Sequence, residues 1–236
     1  MAFHRLRIFS AALVTVVLIA ASASAQQDGT PPQDGAAQKV VEQFHATLLN
    51  VMKEGKNLGY DGRFQWLKPA VQDTFNIPFM AEVTAGTYWA KATEEQRQKF
   101  VEVFAKMSTA TYAERFDAYG GEAFAVEGAD EEGRNSIVVR TQLTDHDGGH
   151  TQISYLLRNF DGAWKAVDVY LNGSISELAV KKSDYASVLK TGGMDALIDA
   201  LNEKVAGLAK SEAKAEAGTT AKSDPKLDPP PTSKTP

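Results

Sequence analysis

Residues 164–205 read WKAVDVYLNGSISELAVKKSDYASVLKTGGMDALIDALNEKV, and they set out a strand, a sharp turn, a helix, a glycine break and a second helix. Val167, Val169 and Leu171 alternate with Asp168 and Tyr170, the two-residue period of a strand with unlike faces, and Asn172-Gly173 stops it. After Gly192-Gly193, the residues Met194, Leu197, Ile198, Leu201, Val205 and Leu208 recur at spacings of three and four, which predicts a helix with one continuous apolar stripe. Such a stripe has to be buried against another element.

Moving outward from this stretch, the two-residue period extends back to Ala123. Strands are predicted over 123–127, 136–143, 151–160 and 165–171, with turns at Asp147-Gly148-Gly149 and Asp161-Gly162. Connections this short imply antiparallel neighbours. Before the strands the period is helical. One helix carries Val40, Phe44, Leu48, Val51 and Met52 and closes at Gly55 and Gly59. A second runs from about Tyr60 to Phe75, with Pro69 as a boundary or kink. Ile77 to Met80 form an apolar joint, and Thr93-Glu94-Glu95-Gln96 is a capping box that opens a long helix with an aromatic face, Phe100, Phe104, Met107 and Phe116. Gly120-Gly121 ends that run. The expected fold is therefore α+β: a curved antiparallel sheet of about four strands packed by helices on one face, with helices at both ends of the chain.

The chain ends are of another kind. Arg5 and Arg7 precede an apolar run from Ile8 to Ala20 and then Ala23-Ser24-Ala25, the pattern of a secretory signal peptide over 1–25 cleaved before Gln26. No cysteine follows, so neither a lipoprotein anchor nor a disulfide is available. Residues 26–38 read as a flexible polar lead, 39–209 as one domain, and 210–236 as a disordered tail whose first turns extend the last helix. Removing Arg5 and Arg7 takes the formal charge from −5 to −7. A soluble periplasmic protein this acidic repels phosphate backbones and anionic lipid surfaces at long range, which excludes nucleic-acid binding and broad membrane adsorption.

Catalytic patterns are sparse. Asp145-His146-Asp147-Gly148-Gly149-His150 holds metal-capable donors, yet it sits where a hairpin must turn, and turns recruit Asp and Gly for backbone reasons. Neither a metal nor a cofactor is expected. His45 lies beside the apolar face of the first helix as a core-edge imidazole. Gly173-Ser174-Ile175-Ser176 is not a nucleophile elbow, and no glycine-rich phosphate loop precedes a helix. Asp168, within a mostly apolar strand, is expected to ion-pair with Arg158 or Arg140 on neighbouring strands, with a tuned acid or base as the alternative.

Phe79, Ala85-Gly86, Tyr88-Trp89, Thr93-x-x-Gln96, Phe100/Phe104, Thr111-Tyr112 and Phe116-x-x-Tyr119-Gly120-Gly121, taken in this order, resemble the toluene-tolerance family of MlaC-like periplasmic lipid carriers. Trp164-x-x-x-Asp168-Val169, Asn172-Gly173 and the closing 192–198 are similar to that family's ending. Where many of its members show Gly-Val-Ser after the last strand, this chain has Asn172-Gly173-Ser174-Ile175-Ser176-Glu177-Leu178, which resembles the hopanoid-associated, HpnM-like branch. The resemblance implies a non-enzymatic, monomeric carrier that encloses lipid tails, exchanges its cargo with membrane-bound transport complexes, and takes a phospholipid or a hopanoid. Its cavity is expected to be lined by Phe79, Phe100, Phe104, Met107 and Phe116 from the helices and by Ile153, Tyr155, Val167, Val169, Leu171 and Ile175 from the sheet side. Two other readings stay open. A curved NTF2-like sheet also houses isomerases and hydratases that use a lone carboxylate or tyrosine, here Asp168, Tyr155 or Tyr170. An adaptor with a solid core is the third.

Overall fold

A computed structural model describes residues 33–220, and the side chains of 34–215. The signal peptide expected at 1–25, most of the lead and the tail from 221 onward lie outside the described residues. The elements are α1 (Gln33–Thr74), α2 (Ile77–Ala85), a 3-10 turn (Gly86–Lys91), α3 (Glu94–Arg115), β1 (Ala123–Glu131), β2 (Ser136–Thr144), β3 (His150–Phe160), β4 (Ala163–Leu171), β5 (Ile175–Ser176) and α4 (Glu177–Thr220).

The first and last helices are each two helices joined at one glycine. Gly59 (φ 59°, ψ 179°) breaks α1 and Gly193 (φ 69°, ψ −161°) breaks α4, both in backbone territory that is essentially reserved for glycine. Gly55, expected to help close the first helix, lies inside it instead. A Cβ there would run into the carbonyl oxygen of Asp117, so this glycine serves a close helix-to-chain approach. Pro69 likewise neither ends nor breaks its helix. The first helix begins at Gln33, before Lys39, because Ala37 and Val41 already belong to its fully buried stripe with Phe44, Leu48 and Val51.

The apolar joint at Ile77 is a helix of its own. The Asn76 side chain accepts from the Phe79 N–H at 3.1 Å, which satisfies a first-turn donor. The capping box at α3 forms as expected: the Gln96 N–H donates to Thr93 Oγ1 at 3.2 Å and the Thr93 N–H to Gln96 Oε1 at 3.0 Å. The Gln96 amide also donates to Asp195 of α4 at 2.9 Å, tying the two helices together.

The strands form one open antiparallel sheet in the order β1-β2-β3-β4-β5. The fifth strand, absent from the sequence expectation, is two residues long and pairs Leu171 with Ile175. β1 runs past Glu127 to Glu131 because the register shifts between Val126 and Gly128, a bulge that lets pairing with β2 resume. Its outer edge has no pairing partner among the described residues. A second shift falls between Leu156 and Leu157, where β4 supplies Val167 as the extra residue. At the end of α1 the chain touches the sheet: the Asn76 N–H donates to the Ala166 carbonyl at 2.9 Å.

Register decides which side chains face the helices. Ile153, Tyr155 and Leu157 of β3 stand beside Val139 and Ile137 of β2 and beside Val169 and Ala166 of β4, and this face joins the stripes of α1, α3 and α4 in one core. Burying it is the main driving force for the fold, at about 25 cal/mol per Å² of apolar surface. α4 continues to Thr220, beyond the boundary expected at 209. Its extension is held: Glu212 Oε2 accepts from Arg63 Nη2 at 3.0 Å, and the Arg63 side chain is only 3% exposed.

Candidate functional site

Helices and sheet do not close completely on each other. Between the C-terminal half of α3, the start of α4, α2 and the sheet lies a cavity of about 300 Å³. Its interior is apolar: Phe75 comes from the link between α1 and α2, Ile77 and Met80 from α2, Ile153 and Tyr155 from β3, and Leu178 from α4, all of them buried. Val169, Leu171 and Leu143 complete the sheet wall.

The floor is a chain of edge-on and tilted rings. Phe44 meets Phe75, Tyr112 and Tyr155 at ring-centroid distances of 5.3, 5.0 and 6.4 Å, and Tyr112 stacks on Phe116 at 5.9 Å. Such pairs fix ring orientation more firmly than burial alone. The Tyr155 hydroxyl reaches His45 Nε2 at 3.1 Å, and the His45 ring stacks on Phe124 at 4.0 Å. Burial lowers the His45 pKa to about 4. The imidazole is therefore neutral near pH 7, and the phenol donates to it. Burial also raises the Tyr155 and Tyr112 phenols above their ordinary range, so both stay protonated.

The mouth is charged. Arg115 ends α3, Glu177 begins α4 and Lys181 follows one turn later; all three line the cavity, together with the hydroxyls of Ser108, Thr111 and Thr151. Arg115 and Thr151 are exposed, and Glu177 and Lys181 are half-buried. Burial lowers the Lys181 pKa, an effect that Glu177 opposes and Arg115 reinforces.

Of the residues expected to line a cavity, the structure gathers Phe116, Ile153, Tyr155, Val169 and Leu171 around this one. The others lie elsewhere. Phe100 and Phe104 are fully buried in the core, with Phe100 edge-on to Phe104 at 6.0 Å and to Tyr185 of α4 at 6.2 Å, and Met107 belongs to the same core. Phe79 is outside the cavity, beside Phe160 at 6.0 Å and beneath the Arg158 guanidinium at 5.2 Å. Val167 is displaced by the β4 bulge, and Ile175 is 49% exposed. The expectation missed Ser108, Tyr112 and Arg115 because a stripe of hydroxyl, phenol and guanidinium does not register as apolar periodicity. The i, i+3, i+4, i+7 spacing of 108, 111, 112 and 115 is the signal that finds them.

Asp168 does not form the expected ion pair. Arg140 pairs with Asp130, and Arg158 lies over Phe79. The Asp168 carboxylate instead accepts from neutral donors: the Val169 N–H at 2.7 Å, the Leu178 N–H at 3.0 Å and the Ser176 hydroxyl at 2.6 Å. Ser176 Oγ in turn accepts from the Ala179 N–H at 2.9 Å. Asp168 and Ser176 together cap α4 and fix the turn from β4. Neither Asp168 nor Tyr170 lines the cavity. At the 145–150 turn, Asp145 Oδ1 accepts from the N–H groups of Asp147 and Gly149 at 3.0 and 2.7 Å, the backbone role expected of it.

The family model described as MlaC protein matches residues 42–203. The chain is 23% identical over 195 residues to the Intermembrane phospholipid transport system binding protein MlaC of Haemophilus influenzae, covering 81% of this chain and 88% of that one. It is 28% identical over 165 residues to the Toluene tolerance protein ttg2D of Pseudomonas putida, covering 70% and 72%. Among solved structures, the phospholipid-binding protein from Ralstonia solanacearum, determined in complex with a phospholipid, shares the fold at a TM-score of 0.66 and 22% identity, over 73% of this chain and 98% of that chain. With well over half of its length inside the matched region, the chain belongs to the MlaC family.

Proposed function

We propose that this protein is a non-enzymatic periplasmic carrier that encloses the apolar part of a lipid and exchanges it with membrane-bound transport complexes. The observation that carries the reading is the cavity: an apolar, ring-floored interior opening through a charged mouth suits a molecule with a tail and a head. Each methylene withdrawn from water is worth about 0.8 kcal/mol, so a lipid crosses an aqueous compartment at a useful rate only if its tail stays covered. A carrier has to match the bilayer without greatly exceeding it, because a site of much higher affinity would not release its cargo.

The relatives support this reading. The Haemophilus protein is described as a component of intermembrane phospholipid transport, and the Ralstonia protein was determined with a phospholipid bound. A hopanoid is the alternative cargo, on the Asn172–Leu178 segment alone. Export through a signal peptide at 1–25 and work as a monomer complete the proposal. Catalysis has little support, since the Asp168 oxygens are engaged in capping α4. Solvent extraction of the protein purified from its own periplasm, followed by mass spectrometry, is expected to release stoichiometric lipid. Repeated preparations without lipid, and no uptake from vesicles, would refute the carrier reading.

A further inference from the structure

We infer that Arg115 and Lys181 form a subsite at the cavity mouth for the single negative charge of a phosphodiester head group. The inference rests on the carrier reading above and specifies which amphiphile that carrier takes. Both cations line the cavity where its apolar wall ends. Neither makes a hydrogen bond or an ion pair among the described residues. Elsewhere in the same chain, buried or half-buried cations are satisfied: Arg63 bonds two backbone carbonyls and Glu212, and Arg97 bonds the Trp89 carbonyl.

A half-buried ammonium without a hydrogen-bonded partner loses hydration that the charges of Glu177 and Asp184 offset only in part, since burial still lowers its pKa. An anionic oxygen placed beside it restores that loss, and Arg115, which lines the same cavity, supplies a planar fork of donors. Glu177 sets the limit. With two cations and one carboxylate the mouth carries a net charge of +1, which balances one phosphodiester charge and disfavours a dianion. In a chain of net charge −5 this cationic pair is a local exception, so long-range attraction from the rest of the surface does not explain it. The inference favours a glycerophospholipid over a hopanoid with an uncharged head.

The test compares amphiphiles that share one acyl chain. Affinities of the delipidated full-length protein are measured for a lysophosphatidylcholine, the matching monoacylglycerol and inorganic phosphate. The expected result is that lysophosphatidylcholine binds about tenfold more tightly than monoacylglycerol, that rising salt narrows this ratio, and that inorganic phosphate does not compete at the concentrations used. Lys181→Gln and Arg115→Gln should each bring the ratio toward one by weakening only the phosphodiester ligand. Equal binding of the two amphiphiles by the unaltered protein, or a ratio that ignores both salt and Lys181→Gln, overturns the subsite and leaves the carrier reading standing. Binding of neither amphiphile removes the carrier reading, and the subsite with it.

Discussion

His45 is the residue whose chemistry departs most from its surface behaviour. It is 4% exposed, stacked on Phe124, and holds the Tyr155 hydroxyl that borders the cavity. The unfolded chain takes up a proton on this imidazole below about pH 6.5, and the folded chain only near pH 4. Across that window the unfolded state binds more protons, so stability rises with pH and is lost as pH falls from about 6.5 to about 4, by an amount on the order of 3 kcal/mol. Denaturant unfolding on either side of the window measures it. His45→Gln, which keeps an acceptor for Tyr155 and does not titrate, should flatten that part of the profile; an unchanged slope would assign the acid sensitivity to other groups. Asp168 is a residue of a different kind, a carboxylate that works as a cap. Asp168→Asn replaces one acceptor oxygen with a donor, so the expected cost is about 1–2 kcal/mol of stability. Lipid affinity per folded molecule should stay unchanged, because the side chain does not line the cavity.

The elements themselves were largely legible in the sequence, because their signals are local. Alternation over 164–171, the Thr93-Gln96 box and the three-four spacing after Gly193 each report on one segment, and each is found there. The cavity was less legible, since it arises where several segments meet. Phe100 and Phe104 have the composition of a lipid wall, yet α3 turns that face into the core and offers the cavity Ser108, Thr111, Tyr112 and Arg115. Val167 was lost to a bulge that one strand's sequence does not announce. The two glycine-broken helices allow a sharper test. Gly193 and Gly207 both lie in α4, and a Cβ at either meets nothing within 4 Å, but only Gly193 has a positive φ. Gly193→Ala should cost about 1–3 kcal/mol through backbone strain. Gly207→Ala should gain about 0.5–1 kcal/mol through helix propensity. Thermal unfolding of the two variants should therefore move in opposite directions, and a shared sign would show that packing outweighs backbone conformation at one of them.

At the scale of the whole molecule, Arg63 joins distant parts of the chain. Its guanidinium donates to the Ala113 carbonyl at 2.9 Å, to the Gly55 carbonyl at 3.3 Å and to Glu212 at 3.0 Å, linking α1, the end of α3 and the extension of α4. A chain ending at Ala209 fits the composition of the tail but removes the carboxylate. Breaking a fully buried pair costs roughly 3–5 kcal/mol; Glu212 is 22% exposed, so a loss of about 1–2 kcal/mol is expected. A melting temperature for the truncated chain equal to that of the full chain would put the domain boundary back at 209.

An open sheet has two rims, and the outer one here is β1. A bare strand edge is a template on which another copy of the same strand can add, and repeated addition ends in fibres. β1 carries Glu127, Asp130 and Glu131 and is interrupted at Gly128 by its bulge. Two such rims brought together would oppose like charges and fail to keep register. The irregularity that extends β1 along β2 thus also blunts self-templating, and keeps copies of this open sheet from adding edge to edge.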